Sequence, residues 1–129
     1  LKYTDFAFDN NENNYKRVAG KIEVDTGVVK TANCQLSALK YSGGYQGKEL
    51  ILVSTPTGKD RKRENGVIYA FAVESDDTMT LVGTYFNFVG SFGYSCIAQL
   101  KDGGIAVLYE TDGKIKFQVA SLDMFARPY

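Results

Sequence analysis

Large apolar side chains stand at every second position along much of this chain, and short polar stretches rich in glycine interrupt the pattern. The spacing is clearest at Val67, Tyr69 and Phe71, and it returns over residues 115–119. A period of two places residues alternately on the two faces of a β-strand. The pattern therefore predicts about eight strands, at residues 17–24, 34–41, 49–54, 67–73, 79–85, 94–100, 105–110 and 115–120.

The later strands are separated by only a few residues, which predicts antiparallel neighbours, with Asp102-Gly103 and Asp112-Gly113 as hairpin turns. The run Leu50-Ile51-Leu52-Val53 is continuously apolar, as is typical of a strand covered on both faces. Antiparallel four-stranded meanders stacked face to face, the blades of a β-propeller, satisfy both observations. We predict an all-β fold with one blade formed by the strands near residues 34, 49, 67 and 79, and a second formed by those near 94, 105 and 115.

The second predicted blade is one strand short. Two blades alone would expose both broad sheet faces to water, and the last blade of a propeller is commonly closed by a strand from the beginning of the domain. We therefore expect residues 1–129 to be part of a single, larger propeller domain.

The amino-acid composition excludes several classes of partner and of catalytic site. The chain has 15 Lys and Arg against 15 Asp and Glu, so no basic field favours nucleic acid or an anionic membrane surface. No apolar run approaches the roughly 18 residues of a membrane-spanning helix. Histidine is absent, which excludes Ser-His and Cys-His catalysis and imidazole ligation of zinc. We expect no metal and no cofactor, and we predict a surface loop rather than a calcium site at residues 9–14, which lack the D-x-D-x-D-G spacing.

Each of the two cysteines, Cys34 and Cys96, lies in an apolar, alternating run. Cysteine in such a run behaves as a small apolar residue, so we predict two buried free thiols. A disulfide between them is the alternative that the sequence leaves open.

Tyr94 follows a glycine-rich loop and begins a predicted strand, where the inner strands of a propeller open into its central cavity. It is therefore a candidate functional phenol, and a packing aromatic is the alternative. Glu110 ends the strand 105–110 on the same side as Ala106 and Leu108 by alternation. We expect it to be partly buried against a cationic partner, with a surface glutamate as the alternative.

The charged run at residues 59–66 contains Arg61 and Arg63. A solvated hairpin tip accounts for the run. Alternatively, one arginine turns inward, because a planar guanidinium binds a carboxylate or phosphate through two parallel hydrogen bonds.

Four segments, in this order and at suitable spacing, closely resemble the last third of bacterial exo-sialidases. They are Ala32-Asn33-Cys34-Gln35, Arg63-x-Asn65-Gly66, Phe92-Gly93-Tyr94-Ser95-Cys96 and Asp102-Gly103…Leu108-Tyr109-Glu110. The resemblance runs from about residue 32 to residue 125, and it is carried by the combination of the four motifs.

The resemblance implies the last two blades of a six-bladed propeller that releases terminal sialic acid from sialoglycans with retention of configuration. It implies that Tyr94 is the nucleophile, that Arg63, or Arg61 in its place, belongs to an arginine triad on the substrate carboxylate, and that Glu110 orients another arginine of the triad.

The other catalytic groups of the family find no match in residues 1–31, so the resemblance implies an N-terminal part of the same enzyme as a separate chain. It also implies a secreted or cell-surface location. Alternatives are intramolecular or transfer sialidase chemistry and a non-catalytic, lectin-like fragment that binds sialoglycans.

Overall fold

The computed structural model describes residues 36–58, 62–76 and 78–127, and this part of the chain folds as two antiparallel β-sheets. One sheet has four strands in the order β1-β2-β3-β4, and the other has three in the order β5-β6-β7. The strands are β1 Ser37–Tyr45, β2 Lys48–Pro56, β3 Glu64–Val73, β4 Met79–Ser91, β5 Ser95–Gln99, β6 Ile105–Thr111 and β7 Lys114–Ala120. A 3-10 turn, Leu122–Met124, follows β7.

The all-β prediction and the grouping of strands into four and three are confirmed. The strand predicted at residues 17–24 and the loop predicted at 9–14 lie outside the described residues. The predicted ends were least accurate for β4, which continues to Ser91 because it keeps pairing with β3 across irregular registers, Gly66 with Phe88 and Glu64 with Ser91. These register shifts interrupt the period-two pattern on which the sequence prediction depended.

The Asp112-Gly113 hairpin turn is confirmed, with both residues at positive φ, +48° and +72°. A second turn of this kind, Gln46-Gly47, joins β1 to β2 at φ of +51° and +76°. The sequence analysis missed it because glutamine is rare at a position that Asn, Asp and Gly usually occupy.

The main core lies between the two sheets. Phe92 is fully buried there and stacks on Tyr109 of β6, with 5.0 Å between ring centroids and 21° between ring planes. Phe88 of β4 lies 5.1 Å from each of these rings. Gly66 makes this packing feasible, because a Cβ at that position would stand 2.3 Å from the Phe92 ring.

Side-chain hydroxyls connect the two sheets beside this core. The buried hydroxyls of Ser54 and Ser95 lie 2.7 Å apart, and Ser37 Oγ accepts the Ile97 N–H at 3.1 Å. Both contacts join the four-stranded sheet to β5. They fix the strand that follows Tyr94 against its neighbouring sheet.

The far face of the three-stranded sheet is apolar and exposed. Cys96, Leu108 and Phe117 form a row across β5, β6 and β7, and all three are exposed, Phe117 at 59%. The prediction that Cys96 is buried is therefore wrong, because alternation assigns a residue to a face without showing whether that face is covered. Cys96 is a free thiol in the part of the chain that the structure describes, whereas Cys34 lies outside it.

The far face of the four-stranded sheet carries a second apolar cluster of Val67, Tyr69 and Phe71, all buried. Burial raises the pKa of the Tyr69 phenol, because its ionised form loses hydration there.

We predict that Gly66→Ala destabilises the protein by about 1–3 kcal/mol, since the new methyl group would displace the Phe92 ring. Denaturant unfolding measures the change. In a Phe92→Ala background the same substitution should cost clearly less, because every atom that the new methyl group meets is gone. Equal costs in the two backgrounds would contradict the steric explanation.

Tyr69 gives a prediction for alkaline pH. Its pKa is higher in the folded than in the unfolded chain, so its contribution to stability is complete below about pH 10 and declines as the pH rises further. Tyr69→Phe should therefore lose less stability than the unsubstituted protein between about pH 9 and pH 11. Unfolding curves at the two pH values test this, and an equal loss in both proteins would refute it.

Candidate active site

The loop that joins β4 to β5 brings distant parts of the chain together. The Phe92 N–H donates to the Arg63 carbonyl at 2.9 Å, and the Gly93 N–H donates to the Glu110 carbonyl at 2.9 Å. Gly90, at φ +88°, allows the chain to turn out of β4. The loop is thereby held between the turn that carries Arg63 and the end of β6.

Tyr94 and Glu110 are joined by two hydrogen bonds. The Glu110 N–H donates to the Tyr94 carbonyl at 3.0 Å, and the Tyr94 N–H donates to the Glu110 carboxylate, at Oε2, at 3.3 Å. Gly93 leaves room for this carboxylate, since a Cβ there would lie 2.8 Å from Oε2. The Tyr94 side chain is 45% exposed. Its backbone is fixed while its phenol faces solvent.

Arg63 lies beside Tyr94. The guanidinium carbon, Cζ, is 5.1 Å from the centroid of the Tyr94 ring, within the range of a cation–π interaction. Both side chains are exposed. The fold thus brings together Arg63, Tyr94 and Glu110, three residues that the sequence analysis singled out separately. Arg61, the predicted fallback for Arg63, lies outside the described residues.

An open groove of about 330 Å³ lies beside Arg63 and Glu110, and Tyr94 is not among its lining residues. Its lining includes Arg63, Glu110, Asp112 and Lys114. A guanidinium at such an opening can bind a planar carboxylate.

Several known proteins are similar to this chain in sequence or in structure. No protein-family model matches the chain. Sialidase B of Streptococcus pneumoniae is 32% identical to it over 78 residues, which make up 59% of this chain and 11% of that protein. The crystal structure of the intramolecular trans-sialidase from Ruminococcus gnavus, in complex with oseltamivir carboxylate, superposes with a TM-score of 0.57 and 27% identity, over 70% of this chain and 22% of that one.

The chain is similar to sialidases in sequence and in fold. The NanB sialidase from Streptococcus pneumoniae, at 24% identity, supports the fold, with a TM-score of 0.67 over 79% of this chain and 18% of that one. These sialidases are β-propellers, and two stacked antiparallel sheets agree with two neighbouring blades. Sialidases are glycosidases that process sialic acid. This chain spans only 11–22% of the length of the relatives compared.

The environment of Glu110 differs from the expectation. Partial burial against a cation was predicted, but Glu110 is exposed and its carboxylate accepts a backbone N–H. The alternation with Leu108 is confirmed, since both residues face the open side of the sheet, and this open side leaves the carboxylate in water.

Sequence reasoning missed two residues that support the site. Asn65, at φ +54°, accepts the Gly90 N–H on its side-chain oxygen at 3.1 Å, and Ser91 Oγ accepts the Asp112 N–H at 3.1 Å. The Asn65-Gly66 pair is a turn signal that could have identified the backbone conformation of Asn65. No sequence signal identifies the Ser91 contact, because it joins the end of β4 to the distant Asp112-Gly113 turn.

Two further properties concern only the described part of the chain. No group of three or more Cys, Asp or Glu side chains gathers there in a way that could hold a metal ion. Nor does any helix there have the length and apolar character needed to cross a bilayer.

We predict that Gly93→Ala displaces the Glu110 carboxylate and breaks its bond to the Tyr94 amide. Because a hydrogen bond of this kind contributes about 1 kcal/mol, hydrogen exchange at the Tyr94 amide should become roughly fivefold faster. Glu110→Gln is the control, since it keeps an acceptor oxygen and should leave exchange slow. Unchanged exchange in Gly93→Ala would show that the carboxylate does not protect this amide.

Proposed function

We propose that this chain supplies one side of the active site of a retaining exo-sialidase, with Tyr94 as nucleophile, Arg63 on the sugar carboxylate and Glu110 orienting a second arginine. The observation that carries the proposal is the Arg63 guanidinium 5.1 Å from the centre of the Tyr94 ring. A carboxylate held by that guanidinium would place the carbon that bears it near the phenol.

The chemistry of the substrate explains why a phenol would serve here. Sialic acid carries a carboxylate on its anomeric carbon, so an aspartate or glutamate nucleophile would approach a like charge at close range. A tyrosine can attack without that repulsion, provided that a neighbouring base removes its proton. Arginine complements the same carboxylate, with each charge-assisted contact contributing about 1.5–3 kcal/mol.

In the proposed reaction the Tyr94 oxygen bonds to the anomeric carbon as the glycosidic bond breaks, and an acid protonates the departing oxygen. Water then displaces the tyrosine, so that the two inversions together retain the configuration. This chain contributes the nucleophile and part of the carboxylate site. We assign the acid, the base that activates Tyr94 and two further arginines to the remaining blades of a six-bladed propeller.

The partner in this proposal is the N-terminal part of the same domain, present as a separate chain. The exposed row of Cys96, Leu108 and Phe117 supports it, because soluble proteins rarely leave such apolar sheet faces uncovered. Among the described strands none pairs with the outer edge of β7 on the same sheet, where a closing strand could add. We propose a secreted or cell-surface location, where sialoglycans are displayed.

Intramolecular transfer is the second candidate, favoured by the 27% identity to an intramolecular trans-sialidase. In that reaction a hydroxyl of the sugar itself, rather than water, displaces the tyrosine. The product is then an anhydro sugar instead of free sialic acid, and mass spectrometry of the product separates the two. A lectin-like fragment would bind the sugar and yield neither product.

We predict that Tyr94→Phe lowers turnover of 4-methylumbelliferyl sialoside by at least about a thousandfold, since the nucleophilic oxygen is lost. Affinity for free sialic acid, measured by calorimetry, should stay within about threefold, because Arg63 still meets the carboxylate. Tyr45→Phe, in the hairpin between β1 and β2, is the matched control and should keep full turnover.

Turnover that survives Tyr94→Phe would exclude Tyr94 as the nucleophile. Sugar binding without turnover in the unsubstituted protein assembled with its partner would instead favour the lectin-like alternative.

A further inference from the structure

The side chain of Asn65 joins the turn that carries Arg63 to the loop that leads to Tyr94. Its Oδ1 accepts the Gly90 N–H at 3.1 Å, at the end of β4 just before that loop. Two residues further on, the Phe92 N–H donates to the Arg63 carbonyl at 2.9 Å. Two hydrogen bonds therefore join the segment that carries Arg63 to the segment that precedes Tyr94, and one of them depends on a side chain.

The backbone of Asn65 is itself held in an uncommon conformation. Its φ is +54°, in the left-handed region that Asn and Gly adopt more readily than other residues. Its carbonyl accepts two bonds from Thr57, one from the N–H at 3.2 Å and one from Oγ1 at 2.6 Å. The turn is thus fixed on the β2 side, and the direction of the Asn65 amide is fixed with it.

This combination of requirements selects asparagine. Glycine would accept the backbone conformation but has no oxygen for the Gly90 N–H. Aspartate would provide the oxygen together with a negative charge two residues from the guanidinium that is to bind a carboxylate. Asparagine provides a neutral acceptor in a left-handed turn.

We propose that Asn65 is a positioning residue that fixes Arg63 in place over Tyr94. The proposal rests on the function proposed above, and Asn65 acts through the two polypeptide segments without touching the substrate. When its bond to Gly90 is lost, the Phe92 bond and the irregular pairing of β3 with β4 are left to join the two segments, and the Arg63 side chain moves relative to the phenol.

The expected kinetic effect lies mainly in KM. The substrate carboxylate is bound by Arg63 before and during the chemical step, so misplacing the guanidinium weakens both complexes together. We expect Asn65→Gly to raise KM for 4-methylumbelliferyl sialoside about tenfold and to change kcat by less than about threefold. A merely structural role would instead lower the amount of folded protein and leave KM unchanged.

The test compares Asn65→Gly with Gln46→Gly in the full chain assembled with its partner. Gln46 also has positive φ, +51°, and lies in a hairpin turn between β1 and β2, so glycine there relieves the same backbone conformation outside the site. Besides kinetics, NMR measures two local signals. One is hydrogen exchange at the Gly90 amide, and the other is the ring-current shift that Tyr94 imposes on the Arg63 side-chain protons.

In Asn65→Gly we expect faster exchange at Gly90, a reduced ring-current shift at Arg63 and the raised KM, while Gln46→Gly changes none of the three. An unchanged Arg63 shift in Asn65→Gly, or an equal change in Gln46→Gly, would overturn the proposal.

The Arg63→Lys variant distinguishes failure of the proposed function from failure of the role proposed for Asn65. If it raises KM while Asn65→Gly does not, the proposed function stands and the role of Asn65 is wrong. If Arg63→Lys leaves KM unchanged, the proposed function fails at this residue, and the ring-current shift still decides whether Asn65 positions Arg63.

Discussion

The rest of the site depends on a steric constraint: residue 66 must be glycine, because a larger side chain would collide with the Phe92 ring. Gly66 lets the Phe92 ring pack against β3 and stack on Tyr109, one residue before Glu110. The same Phe92 donates its N–H to the Arg63 carbonyl. A single apolar contact in the core thus supports two of the charged residues on the surface, and the polar geometry follows from the packing beneath it.

The residues that fix the backbone of the site differ from the residues that would contact a ligand. Two of the supporting groups are buried, Phe92 in the core and Ser95 in its hydroxyl pair with Ser54, whereas Asn65 supports the site from an exposed position. The chemical groups, Arg63 and Tyr94, are exposed on turns and strand ends above them. Such an arrangement lets a fixed backbone present side chains to a ligand, and it shields the Ser54–Ser95 hydrogen bond from competing water.

The sequence predicted the sheets well because strand pairing depends on local alternation and turn residues, which β6 and β7 display clearly. It predicted the candidate residues Arg63, Tyr94 and Glu110 through motifs in a known order, and the fold brings these three together. It did not predict the exposure of Cys96 and Glu110, because alternation assigns a residue to a face but is silent on what covers that face. Nor did it predict the long-range contacts of Asn65, which depend on how separate turns meet in space.

The position of Cys96 has a consequence for how assembly can be followed. Its thiol lies on the same apolar face as Leu108 and Phe117, and it is accessible to solvent. A neighbouring blade seated on that face would shield the sulfur from oxidants and alkylating reagents. Whether the Cys96 sulfur becomes oxidised or alkylated therefore indicates whether this surface has been covered by a neighbouring blade or open to solvent.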